Sequence, residues 1–130
     1  MSGFTTVKSY VDELGLSVIT EVASEELLVV QDDERGIHNL IVDCEDDVLV
    51  FEQSIFQIAR DDPRMYKRLL QMNRELVHGA FVLDEAGERV LFRDTLQLKN
   101  LDMNEFEATV NALTLGLAMF ADELIEFARS

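Results

Sequence analysis

The chain has 130 residues, 48% of them hydrophobic, and 26 Asp and Glu against 11 Lys and Arg leave a net charge of −15. That apolar content excludes disorder as the default and suits one domain, residues 1–130, with a core of its own. The acidic excess repels a phosphate backbone and an anionic leaflet alike, so neither nucleic acid nor a membrane surface is an expected partner.

Phe4, Val7, Val11 and Leu14 recur at spacings of three and four, which predicts an amphipathic helix ending near Gly15. Ser17 to Ala23 and Glu26 to Gln31 read as strands, the second carrying Leu27 to Val30. An acidic turn from Asp32 to Gly36 leads into Ile37 to Asp43, where Leu40 and Val42 face one way and Asn39 and Asp43 the other. Val48 to Phe56 is apolar on both faces at its start, as in a strand lying between two layers.

Asp62 suits an N-cap and Pro63 a first helical position, so a second helix is expected to run toward Gly79. Met65, Leu69, Met72 and Leu76 form one stripe on it, and Tyr66, Leu70 and Val77 a second. One stripe is enough to seat a helix on a sheet. The other needs a cover, from this chain or from a second copy. Five basic residues, Arg60, Arg64, Lys67, Arg68 and Arg74, crowd the same helix, either balancing neighbouring acids or marking a docking surface.

Ala80 to Leu83 and Arg89 to Leu98 then read as a hairpin turning at Gly87, with Asp94 interrupting the apolar face. An ion pair with Arg74 or with the neighbours of Arg93 is the ordinary expectation for that carboxylate. Asp102 and Glu105 make a capping-box-like start to a final helix. Phe106, Val110, Leu113, Leu117, Phe120, Leu124 and Phe127 form its stripe, widened by Ala108, Ala112, Ala118 and Ala121. Unbroken from Asn104 to Arg129, it would extend ~39 Å. The expected fold is α+β: an antiparallel sheet of about five strands with three helices, in the order α-βββ-α-ββ-α.

Candidates for chemistry are few. His38 and His78 lie far apart in sequence, outside any metal-binding spacing, and Cys44 is the only cysteine. No internal disulfide framework is possible, which favours a reducing compartment. The turn Asp43 to Asp47 has a calcium-loop look, but Val48 stands where such a loop needs Gly and Ser54 where it needs its closing Glu. No catalytic set, metal or cofactor is expected. The stretch MSGFTTVKSYVDELG has no basic region followed by an apolar core, and no run approaches the ~18 apolar residues of a span, so a cytoplasmic protein is expected.

The run LLQMNRELVHGAFVLDEAGERVLFRDTLQLKNLD, together with the order of elements, resembles the YbjN domain family, described as sensory transduction regulators. Leu69 to Arg74, Gly79-Ala80-Phe81, the hairpin, and Leu101-Asp102 with the helix that follows carry the likeness. The same order is similar to that of the CesT-like chaperones of type III secretion. The resemblance implies a small homodimer that binds an extended segment of a protein client through apolar grooves, partly by strand addition. It implies partner contacts near Phe4, Val7, Val11, Leu28 and Val30, and a dimer contact through Met65, Tyr66, Leu69 and Leu70. A small-ligand-sensing regulatory domain is the alternative.

Overall fold

The computed structural model describes residues 3–129. Helix α1 (Gly3–Glu13) precedes strands β1 (Ser17–Val22), β2 (Leu27–Asp32), β3 (Ile37–Glu45) and β4 (Val48–Gln57). Helix α2 (Pro63–Asn73), the hairpin β5 (Ala80–Leu83) and β6 (Arg89–Gln97), and helices α3 (Met103–Met119) and α4 (Ala121–Arg129) complete the chain. The six strands form one antiparallel sheet in the order β1-β2-β3-β4-β6-β5, so β1 and β5 are its edges.

Strand register explains why one face of this sheet is core. Leu28, Val42, Phe51 and Asp94 lie opposite one another across four strands, as do Gln53, Phe92 and Phe81 across three. These positions face the helices. Their neighbours one residue along, such as Val29, Ile41, Glu52 and Arg93, point to the other face, where side chains are half-buried or exposed. Beneath the helices, Phe4, Val7 and Val11 of α1 join Leu28, Val30, Val42 and Phe51, with Phe106, Val110 and Leu113 of α3. The rings of Phe51 and Phe106 pack with centroids 5.3 Å apart. A second cluster joins Met65, Leu69 and Met72 of α2 to Phe56, Phe81, Val90, Phe120 and Leu124.

Buried polar groups on the core face are answered. Gln53 spans the start of β3, accepting from the His38 N–H at 3.0 Å and donating to the Gly36 carbonyl at 3.1 Å. Asp94 makes no ion pair with Arg74; it accepts from the buried Thr109 hydroxyl at 2.8 Å, tying β6 to α3, and from the Thr95 N–H. A hydrogen bond inside the core face replaces the expected surface contact because α3 lies directly over the strand.

The α+β class holds, with six strands and four helices. The strand read from Ser17 is present as Ser17–Val22 and brings the expected count of about five to six, while the final helix divides: α3 and α4 meet at Phe120 with a bend of 70°. No proline marks the bend. Phe120 and Leu124 turn into the second cluster, and that burial draws α4 across the sheet rather than past it. Helix α2 also stops at Asn73, earlier than its apolar spacing suggests, which leaves Leu76 and Val77 in a turn. No single helix among the described residues is long and apolar enough to cross a membrane.

Gly79 is the position where the turn after α2 has least freedom. Its φ is +74°, and a Cβ built there would stand 2.4 Å from the Phe92 ring. Strain and overlap act together, so Gly79→Ala is expected to lower stability by about 2–4 kcal/mol, read as a shift in the urea midpoint at constant slope.

Candidate protein-binding surfaces

None of the side chains singled out for chemistry meets another in a cleft. His38 is exposed near the start of β3 with its Nδ1 3.3 Å from Asp33. The Cys44 thiol is buried, and burial, with the charges of Glu26 and Asp43, pushes its pKa up to about 11. It is a thiol, not a thiolate, at neutral pH. No group of three or more His, Cys, Asp or Glu among the described residues is placed to hold a metal ion.

Three apolar surfaces reach solvent. The first belongs to the β1 end of the sheet. Phe4, Val7, Val11, Leu28 and Val30 are each at most 7% exposed, so they are the floor beneath this surface rather than its contact atoms. The correction follows from alternation: α1 covers the face on which Leu28 and Val30 lie. The apolar groups that do reach solvent here are Val18 and Ile19 on β1, each 49% exposed, and Ile41 on the open face. A register shift between Val18 and Thr20 bulges the edge strand at Ile19. Acids flank it in sequence, Asp12 and Glu13 before it and Glu25 and Glu26 after it, while Lys8 is drawn to Glu21 at 3.4 Å.

The second surface lies between α2 and β5. Met65 and Leu69 are buried in their own chain, so of the four residues expected at a dimer contact only Tyr66 and Leu70 face outward, Leu70 at 69% exposure. Beside them is a hollow of about 390 Å³ floored by Leu69, Phe81 and Val90 and walled by Tyr66, Leu70 and Asn73. The basic residues in and around α2 divide by role. Arg68 grips Glu123 of α4 with two hydrogen bonds, 2.7 and 2.9 Å, and lies over the Phe120 ring. Arg64 turns to its own cap, Asp62. Arg60, Lys67 and Arg74 have no carboxylate within ion-pair distance among the described residues and leave a basic margin along Leu70.

A third exposed strip takes Val77 from the second stripe read on α2 and sets it beside Leu115 and Met119, which the sequence reading did not join to it. Val77, 83% exposed, stands near Leu115 and Met119 across a groove lined by Leu76, Ala112 and Gly116. Leu115 and Met119 are one helical turn apart, which was the available signal; the core stripe beside them obscured it.

On the open face Asp43 is crowded by carboxylates. Burial, a hydrogen bond with Glu45 and the charges of Glu45, Glu25 and Glu52 raise its pKa to about 6. With that value above the unfolded one, the native state holds the extra proton, and the associated stability is lost as pH rises from about 4 to 6. Asp43→Asn is therefore expected to stabilise the protein at pH 7 by about 1 kcal/mol, after solvent screening, and to flatten the slope of stability against pH in that window. Urea titrations at several pH values read both effects.

A one-sided antiparallel sheet with a helix before its first strands, another leading to its hairpin and long helices closing the chain is the fold of the type III secretion chaperones. The family description CesT_Tir_1 matches residues 1–130, and the chain belongs to that family. Among solved structures, YbjN from E. coli superimposes with a TM-score of 0.70 at 13% identity, covering 94% of this chain and 93% of its own. In the ExsC–ExsE complex one chain matches with TM-score 0.68 at 18% identity, covering 95% and 97%. The ExoU–SpcU complex of the Pseudomonas aeruginosa type III secretion system gives 0.66 at 16% identity, covering 85% and 91%. No curated protein matches the sequence.

Proposed function

We propose that the chain is a non-enzymatic, chaperone-like module that holds an extended segment of a partner protein and works as a homodimer in the cytoplasm. The observation that carries this reading is the β1 edge: six residues ending the sheet, with Val18 and Ile19 turned to solvent. An extended backbone can pair with such an edge while its alternate side chains rest on the apolar positions. The acids around β1 favour a segment that mixes apolar residues with Lys or Arg. The fold neighbours solved as two-protein complexes, ExoU–SpcU and ExsC–ExsE, support protein binding as the use of this architecture. On a peptide array, extended apolar and basic peptides are expected to bind the wild type, and Val18→Lys with Ile19→Lys to lower that binding by about tenfold or more. Uniform loss of peptide binding in the wild type would sink the reading.

The homodimer rests on Leu70. A leucine at this exposure beside a hollow of side-chain size is a knob next to a hole, and a two-fold axis lets each copy fill the other. Light scattering is expected to give twice the monomer mass for the wild type and the monomer mass for Leu70→Glu. An unchanged mass for Leu70→Glu removes the assignment of the seam. The same hollow favours a second reading, a small-ligand sensor with an apolar ligand between α2 and β5. Thermal stabilisation by an apolar metabolite, with a monomer in solution, would favour it over the first.

A further inference from the structure

The two ends of the sheet differ in their backbone, and one side chain makes the difference. In β5, register with β6 directs the N–H and C=O of Phe81 away from the sheet, and alternation gives Leu83 the same direction. These are the groups that an added strand would use. At Phe81 they are occupied: its N–H donates to Asn73 Oδ1 at 2.8 Å, and its carbonyl accepts from Asn73 Nδ2 at 3.3 Å. A carboxamide holds an NH2 donor and a carbonyl acceptor in one plane, and one N–H and the oxygen together serve Phe81 as a residue of a seventh strand would. Asn73 is the last residue of α2, and the turn through Gly79 brings β5 back alongside it.

We infer that Asn73 closes the β5 edge to strand addition, so that a partner on the α2 side meets side chains while an extended backbone enters at β1. Edge strands are the places where sheets join unintentionally, and natural sheets cover or interrupt them. Here β5 is short, and its central residue is already paired. This sharpens the proposed binding mode: it rests on the strand-addition reading for the use of β1, but not for the closure of β5. The seam at Leu70 is then a contact of apolar side chains and not a sheet continued through two copies.

Amide hydrogen exchange tests the closure without any partner. Measurements use the Leu70→Glu chain, so that dimer burial does not contribute. The Phe81 N–H is expected to exchange about tenfold or more slowly than that of Leu83 on the same edge. Asn73→Ala should bring the two rates together, and Asn73→Asp, which keeps the acceptor and loses the donor, should leave Phe81 slow. At millimolar concentration the chain carrying both L70E and N73A should self-associate, with Phe81 and Leu83 amides becoming protected as its mass rises. Equal rates in the presence of Asn73, or loss of Phe81 protection in N73D as complete as in N73A, would overturn the closure. So would a doubly substituted chain that stays monomeric. Loss of peptide binding at β1 with Phe81 still protected would instead count against the proposed function alone.

Discussion

Helices cover one face of this sheet and leave the other to water, and every surface discussed above follows from that arrangement. A strand sends alternate side chains to opposite faces, so a covered face forces Leu28, Val42 and Phe51 inward and their neighbours outward. Packing of Phe106 on Phe51 and of Phe120 among Met65, Leu69 and Phe81 fastens the helices at the two ends of the sheet. Fully burying one such aromatic or aliphatic side chain contributes about 1.5–3 kcal/mol, so a slip of register by one residue would forfeit several at once. What the helices do not cover is the open face, the β1 edge and the outer ridge of α2.

The two ends of the molecule are chemically unlike. Among the described residues no strand lies beyond β1, and its surroundings are acidic. At β5 the backbone edge is held by Asn73, the neighbouring ridge is apolar at Leu70, and its margin is basic. A chain with a net charge of −15 that leaves Arg60, Lys67 and Arg74, in and around α2, without an ion pair among the described residues concentrates its positive potential there. Arg64 and Arg68 are the exceptions: Arg64 pairs with its cap Asp62, while the bonds of Arg68 to Glu123 hold α4 against α2 and draw the Glu123 carboxyl below its ordinary pKa.

The likeness to YbjN and to chains of the ExsC–ExsE and ExoU–SpcU complexes stands at 18% identity or less, yet it extends over most of each chain. A fold of this kind asks for apolar residues at positions set by strand alternation and helical spacing, and many side chains satisfy that demand. Position-specific requirements in this chain are fewer: the left-handed Gly79 against Phe92, the bridge of Gln53 across the start of β3, and the Thr109–Asp94 bond.

Periodicity alone settled which segments are helix and which are strand, and it settled the inward stripe of each helix, because those signals repeat over many residues. Val7, Val11, Met65, Leu69, Phe106 and Val110 are buried as their spacing implies. It could not separate floor from surface at the β1 end of the sheet: Leu28 and Val30 are apolar in either place, and only the position of α1 decided it. The bend at Phe120 was equally hidden, since no local breaker stands there and the cause is burial against residues far back in the chain, from Phe56 to Val90. Nor does any sequence pattern mark Asn73 as the closure of β5. An asparagine at a helix end is ordinary; its two bonds to Phe81 exist only because the turn through Gly79 returns the strand to its side.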